Sequence, residues 1–536
     1  MNHIHYTFEK SRCGEIVPAF VLPDGTNKPL HSMIDPKREA QRLLSTIGNA
    51  GFLVFLGLGG GFISEAALEL TNAQIIVIDF DKDSIAQLLK GRDYSKLLSN
   101  NRFSLLIDPS AQEIKNFFIQ NYKPALYGGI QTIPLRTRTE QDQEKFDIVV
   151  KCIQEVIEII SGDYSVQSHF GFRWFSNIIR NVKNTKNANE DFFSQTEDIH
   201  EAAIVAAGPS LDQQLPCLAE LKSRKVYIIS SDTAAGILLH NGIEPDVIVT
   251  IDCQFISYYH FLGNKLKNIP LILDIASPPL LYDFAASPVF FCSGHPLAQY
   301  ISANWRHFKY LDTSGGNVTY ACLSLAETLG AKYITLFGTD FSYINSQAYA
   351  KGTYFYPYFS KRQNRLLPLE TQFSAFLYRS PFLPPESGKK KNYYETSSLR
   401  FYRNKFEEKV SGMSAEIICA DGLGVPLNLK KALRGDVIPS ENETQRIANG
   451  EKKTNISGVE FLEQYRNDIF ALPAAYEKEN YILKLNEKER QIFTTLLPLT
   501  AAIKKRNMGI ETKYLIEEVK SFSVREIEKV LNSRSS

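Results

Sequence analysis

Between residues 202 and 340 the chain repeats one device: a short aliphatic run that ends in Gly, Ser or Asp, followed by a stretch of helical length. The runs are "AAIVAAG" (202–208), "KVYIISSD" (225–232), "PDVIVTIDC" (245–253), "IPLILDIAS" (269–277), "PVFFCSG" (288–294) and "KYITLFGTD" (332–340). Helical spacers such as "TAAGILLHNG" and "VTYACLSLAETLGA" lie between them. Strands separated by helices of this length cannot pair as hairpins, so the pattern predicts parallel strands in an open, doubly wound twisted sheet. Ligands of such sheets bind beyond the carboxyl ends of the strands.

The residues at those ends are Gly208, Pro209 and Ser210, then Ser231 and Asp232, then Asp252, then Ser293, Gly294 and His295, then Gly338, Thr339 and Asp340. Polar residues that recur at one structural position line one rim. At "AIVAAGPSLDQQLPCL" (203–218) a strand breaks at Gly208 and resumes as a helix. A helix start of that kind leaves backbone N–H groups without partners and favours an anion. Gly208 permits close approach of a phosphate, and the Ser210 hydroxyl and the amides as far as Leu211 are expected to donate to it, Pro209 having no N–H. Asp232 and Asp252 suit ribose hydroxyls or a base amine. A second glycine turn, Ser314, Gly315, Gly316 and Asn317, opens another helix and offers another set of amides. The same residue types also cap helices, and taken singly each reads as a cap. His295 has the side chain of a general base, although a lone His is more often structural.

Upstream, "GFLVFLGLGGGFISEAALEL" (51–70) reads as strand, glycine turn and helix, and "AQIIVIDFD" (73–81) as the next strand. Gly57, Gly59, Gly60 and Gly61 with Asp79 match a dinucleotide fingerprint in which the acid binds ribose. The competing reading is a Rossmann-like domain whose glycines serve packing alone. Residues from about 148 to 180 are helical. After Ser342 an aromatic stretch, "YINSQAYAKGTYFYPYFSKRQNR", reads as a lid or acceptor-binding segment. Helices prevail from about 430. Four parts are therefore expected: an N-terminal Rossmann-like domain at 1–160, a helical linker at 161–200, a central nucleotide-binding domain at 201–430 and a helical C-terminal domain at 431–536.

Composition excludes several classes. The chain of 536 residues carries 60 Lys and Arg against 59 Asp and Glu, so no overall field favours nucleic acid or an anionic membrane. The run Lys389 to Lys391 reads as solvated. No apolar run reaches the roughly 18 residues of a membrane span, and the N-terminus does not read as a secretion signal. The seven cysteines are scattered without a CxxC pair and are expected to be buried thiols of a cytoplasmic protein.

Several segments together resemble the motility accessory factor (Maf) flagellin glycosyltransferases, whose central domain is shared with the hydroxymethylpterin pyrophosphokinase-like proteins. They are "IVAAGPSLD" (204–212), "GIEPDVIVTID" (242–252), "SGGNVTYACLSLAETLGAKYITLFGTDFSY" (314–343) and "YAKGTYF" (349–355). "LHSMIDPKREAQRLL" (30–44), "FRWFSNIIRN" (172–181) and "ADGLGVPL" (420–427) extend the resemblance over most of the chain. The chain departs from the family pattern in carrying Gly338-Thr339-Asp340-Phe341 where Gly-Gln-Asp-Leu is common. The resemblance implies a central domain similar to bacterial sialyltransferases, and transfer of a nonulosonic acid of pseudaminic or legionaminic type from a CMP donor to Ser or Thr of flagellin. On that reading CMP-sugar is a substrate, flagellin the protein partner, and neither cofactor nor metal is needed. The 208–211 amides and the tyrosines of 343–358 would stabilise the departing phosphate, and Asp340 or His295 would deprotonate the acceptor. Two alternatives stand beside it. One is an ATP-dependent pterin-type diphosphokinase with Mg²⁺ held by Asp232, Asp252 or Asp340. The other is a non-catalytic flagellin-binding assembly factor.

Overall fold

The computed structural model describes residues 5–22, 25–48, 50–196, 198–263, 266, 268–383, 393–429, 456–476 and 480–533. The Lys389–Lys391 run and the boundary expected at 430/431 lie outside the described residues. The chain divides into two compact units, one of residues 1–172 with 467–525 and one of residues 173–466 with 526–536.

In the first unit, β1 (Tyr6–Lys10), β2 (Ile16–Val21) and β3 (Asn27–Pro29) form an antiparallel sheet. β4 (Phe52–Leu56), β5 (Gln74–Asp79), β6 (Phe103–Ile107) and β7 (Ile130–Pro134) form a parallel one in the order β6-β5-β4-β7. β4 and β5 are buried along their whole length, which is why they read as continuous apolar runs. Residues 467–525 fold with this sheet. Asn480 donates to the Gln74 Oε1 at 2.7 Å and accepts from the Tyr127 hydroxyl at 2.9 Å. Gly171 lies so close to the helix Glu487–Arg506 that a Cβ there would stand 2.0 Å from the Pro498 carbonyl oxygen.

Among the described residues the second unit is built on seven parallel strands: β8 (Glu201–Val205), β9 (Tyr227–Ser231), β10 (Val247–Thr250), β11 (Leu271–Asp274), β12 (Pro288–Phe291), β13 (Tyr333–Phe337) and β17 (Glu416–Cys419). Each of the six apolar runs read from the sequence is one of them. β17 is the addition, an edge strand too exposed to show an apolar signal, whereas the equally short β10, β11 and β12 are buried throughout. The order β12-β11-β10-β9-β8-β13-β17 reverses direction at β8, so the doubly wound expectation holds. Between β13 and β17 the chain makes a small antiparallel sheet from β14 (Tyr343–Ile344), β15 (Phe382–Leu383) and β16 (Tyr393–Thr396).

A single helix, Gln143–Asn184, spans 42 residues. Within the second unit its Asn177 donates to the carbonyls of Cys253 and Ala276 at 3.0 and 2.9 Å, and Asn181 to those of Ile275 and Ser277 at 2.9 and 2.8 Å. The asparagines of "FRWFSNIIRN" thus pin the loops that leave β10 and β11. All seven cysteines are free thiols. Cys152, Cys253, Cys292 and Cys322 are buried as expected, whereas Cys13, Cys217 and Cys419 are exposed. No helix among the described residues is long and apolar enough to cross a membrane.

Candidate functional site

The dinucleotide-like turn of the first unit is filled from within. Asp79 is fully buried and forms an ion pair with the equally buried Arg138, Nε to Oδ1 2.9 Å. Its carboxylate also accepts the amides of Leu58 at 2.7 Å and Phe80 at 2.8 Å. Burial pushes this carboxyl above its ordinary range, against the pull of Arg138. His31 Nε2 accepts from the Gly60 amide at 2.8 Å, and the Tyr94 hydroxyl donates to the Gly59 carbonyl at 2.6 Å. A Cβ at Gly57 would stand 2.8 Å from Arg138 Cγ, and one at Gly59 2.6 Å from His31 Nε2. The glycines here admit the protein's own side chains, and Asp79 is closed to a ribose.

In the second unit the topological reversal falls between β8 and β13, and the two strand ends are bonded to each other. Ala206 donates to the Phe337 carbonyl at 2.8 Å, Gly208 to the Gly338 carbonyl at 2.9 Å, and the Ser210 amide to Asp340 Oδ2 at 2.8 Å. Leu211 donates to the Gly208 carbonyl at 3.0 Å. The amides of Gly208, Ser210 and Leu211 that the sequence leaves free for an anion are therefore all occupied. The cause lies in the parallel register of β8 and β13, which sets the two loops side by side. Ser210 Oγ accepts from the Leu423 amide at 2.9 Å. A Cβ at Gly424 would meet Asp340 Cα at 2.6 Å. "ADGLGVPL" closes on the turn from that side. Burial raises the Asp340 carboxyl above its usual range while the Ser210 hydrogen bonds lower it. Thr339 is buried beside Cys419, its hydroxyl 3.5 Å from Sγ.

The second glycine turn has the property missing from the first. Asn317 caps the helix Val318–Thr328 by accepting from the Tyr320 amide at 3.0 Å, and its own Nδ2 donates to the Gly315 carbonyl at 3.1 Å. Ser314 donates to Asp312 at 2.9 Å and Gly316 to the Thr313 carbonyl at 2.9 Å. The amides of Gly315 and Asn317 make no hydrogen bond among the described residues. Gly316 has φ +71°, and a Cβ on it would be 3.2 Å from the Tyr402 ring.

Tyr402 leads to the acids. Burial and the nearby Asp252 both raise its hydroxyl pKa. Asp232 accepts from Thr250 Oγ1 at 2.6 Å and from the Thr233 amide at 2.6 Å. Asp252 accepts from the Gln254 amide at 2.9 Å. Burial, opposed by that amide, and then the charge of Asp232 push the Asp252 carboxyl up. The segment "YAKGTYF" is tied to the β8 turn, Ala350 donating to the Ala207 carbonyl and Lys351 to Asp212 Oδ1, both at 2.9 Å. It carries Tyr354 to the acids: burial raises this hydroxyl most, and the negative fields of Asp232 and Asp252 add to it. Tyr354 stacks on Tyr259 at 6.0 Å and meets His260 edge to face at 4.7 Å. His260 escaped the sequence reading because it sits in an aromatic run without period, and Tyr402 because it is one aromatic residue in a largely polar helix, Ser397–Gly412.

His295 takes another place. Its Nδ1 accepts from the Leu297 amide at 3.2 Å, which makes it the cap of the helix Pro296–Asn304, and Trp174 packs edge-on at 5.0 Å. Burial lowers its pKa to about 3. The sequence signal was present in Pro296 at the first helical position. Neighbouring Asp274, buried at the end of β11, is pushed up to about 6 by desolvation. Among the described residues no three His, Cys, Asp or Glu side chains are arranged to hold a metal ion. A cavity of about 610 Å³ opens beside Cys253, lined also by Arg173, Arg180, Phe255 and Asp283.

Residues 176–346 match the family described as 6-hydroxymethylpterin diphosphokinase MptE-like. Two uncharacterized proteins of Treponema pallidum (strain Nichols) are similar. One is 37% identical over 126 residues, 23% of this chain and 45% of that protein. The other is 34% identical over 115 residues, 20% of this chain and 51% of that protein. The matched stretches thus span about half the length of these relatives. The Maf glycosyltransferase from Magnetospirillum magneticum AMB-1 aligns with 99% of this chain and 91% of its own at a TM-score of 0.56 and 13% identity. The resemblance read from the sequence motifs therefore holds in three dimensions: nearly the whole chain is built on the fold of that Maf glycosyltransferase, with an MptE-like segment in its second unit.

Proposed function

We propose that the chain is a cytoplasmic glycosyltransferase that moves a nonulosonic acid, of pseudaminic or legionaminic type, from a CMP donor to Ser or Thr of flagellin. The observation that carries this reading is the glycine turn at 315–317. Its unpaired amides at a helix start lie next to Tyr402, and Tyr402 lies within the field of Asp252. Oriented amides at a helix start are suited to a phosphate and to the charge that grows on it as the glycosidic bond breaks. Asp232 and Asp252 remain suited to ribose hydroxyls or the cytosine amine, and Tyr354 and Tyr402 give the aromatic surface on which a base or a sugar ring stacks. The turn at 208–211 has the role of a frame: with Asp340 it holds β8, β13 and the 349–355 segment in register. CMP departs with its charge on a phosphate that the amides solvate, so this route calls for no metal ion. The fold shared with a Maf glycosyltransferase supports the reaction class.

A diphosphokinase reading is favoured by the MptE-like match and by the pair of acids Asp232 and Asp252, which would carry Mg²⁺ with bound ATP. Calorimetric titration of CMP and of ATP, each with Mg²⁺ and with EDTA, separates the two. Tight CMP binding indifferent to EDTA is expected. Binding of ATP alone, dependent on Mg²⁺, would overturn the transferase reading. CMP binding without release of CMP from the sugar donor would leave a flagellin-binding assembly factor.

A further inference from the structure

We infer that His260 takes the proton from the acceptor hydroxyl in the transfer proposed above, an inference that rests on that reading. Both groups that the sequence offers as the base are engaged elsewhere: Asp340 by the Ser210 amide, and His295 as a buried helix cap. The Nδ1 of His260 is buried and has no hydrogen-bond partner among the described residues, a property that His295 Nε2 shares, but His260 is the imidazole whose charge reaches Asp252 and whose ring meets Tyr354. A buried imidazole nitrogen without a partner calls for an explanation, and a catalytic role is one that the surroundings of His260 supply.

The surroundings fit the task. His260 lies in the short helix Tyr258–Phe261, on the loop that carries Asp252 out of β10. The titratable groups set against it are Asp252 from its own loop and Tyr354 from the facing segment, with Asp232 beyond Asp252. Asp252 feels the charge of His260, so an imidazolium formed there is stabilised by a carboxylate. The neighbouring Tyr259 stacks on Tyr354 at 6.0 Å and meets Tyr358 at 5.7 Å, which locks the loop to the 349–358 segment and fixes the direction of the imidazole. The step balances as follows. The Ser or Thr oxygen forms a bond to the anomeric carbon while the bond from that carbon to the CMP phosphate oxygen breaks. The electron pair leaves with CMP, the hydroxyl proton moves to His260 Nδ1, and solvent later receives it.

The test is CMP release from CMP-pseudaminate and CMP-legionaminate with flagellin as acceptor, on wild type, His260→Ala and His260→Gln. Thermal unfolding of each variant is run alongside, and the glutamine variant serves if the alanine one fails to fold. Positioned proton transfer contributes about 10²–10⁴-fold, so kcat of His260→Ala is expected to fall at least about 100-fold with the donor KM within about threefold. Added imidazole is expected to restore part of the rate to His260→Ala and none to His260→Gln, whose side chain fills the space. A kcat within about threefold of wild type overturns the inference and leaves the transferase reading intact. So does a loss that appears as weakened CMP binding and does not respond to imidazole. Failure of wild type itself to bind CMP overturns the transferase reading, and this role of His260 with it.

Discussion

Gly208→Ala adds one methyl group to the junction of β8 and β13, and the structure sets the cost. The Cβ would stand 2.4 Å from Asp340 Oδ2 and 2.4 Å from the Gly338 carbonyl oxygen, about 1 Å inside ordinary contact. Neither oxygen is free to move. Gly338 O accepts from Gly208 N at 2.9 Å, and Asp340 Oδ2 accepts from Ser210 N at 2.8 Å. Withdrawal by about 1 Å takes both beyond bonding distance. One neutral hydrogen bond and one to a charged group are then lost, roughly 2–4 kcal/mol together. At about 2–4 °C per kcal/mol for a large domain, the expected fall in melting temperature is about 4–16 °C. CMP affinity is expected to drop about tenfold or more, because the 349–355 segment hangs from the same turn through Ala207. Gly294→Ala is the control: it lies at the end of β12 with nothing within 4 Å of its Cβ position, and is expected to be neutral. Scanning calorimetry and CMP titration of the two variants decide the matter. A Gly208→Ala protein that melts with wild type and binds CMP equally well would refute the described junction.

Two further outcomes follow from buried charge. Arg138→Met removes the cation from the fully buried pair with Asp79 and is expected to destabilise the first unit by about 3–5 kcal/mol at pH 7 in urea unfolding. Since the Asp79 carboxyl is already raised in the folded state, the folded form holds its proton more tightly than the unfolded form does. The deficit should therefore shrink as pH falls toward 4, and the double variant Asp79→Asn with Arg138→Met should recover part of it; a double variant no better than the single one would contradict the account. For His295 the sign is opposite: its pKa falls from 6.5 to about 3 on folding, so the unfolded state takes up the proton first. Stability is lost as pH drops below 6.5, roughly 2 kcal/mol by pH 5, and His295→Asn should remove that part of the slope while keeping a capping side chain. Parallel slopes for wild type and variant between pH 5 and 7 would show that His295 is not buried in the neutral form.

In the two parallel sheets β4, β5 and six strands of the second unit were legible because burial on both faces favours a continuous apolar run. The edge strands β6, β7 and β17 were not, since their part-exposed residues leave no such signature. Of the candidate site, the turns and the acids at the strand ends were legible, their contacts less so. The glycines at 57–61 and at 208 predict turns, and turns are what stand there. What the amides of a turn bind is decided by residues that local sequence cannot see. His31, 29 residues before Gly60, fills the first turn, and Asp340, 130 residues after Ser210, fills the second. The pattern at 314–317 looks no stronger in sequence than either of them. It differs because its aspartate, Asp312, binds the Ser314 amide and the Tyr320 hydroxyl and so leaves the amides of Gly315 and Asn317 without a partner. A glycine fingerprint reports the shape of a turn, and only the hydrogen bonds of the folded chain tell a turn whose amides stay open from one whose partner is built in.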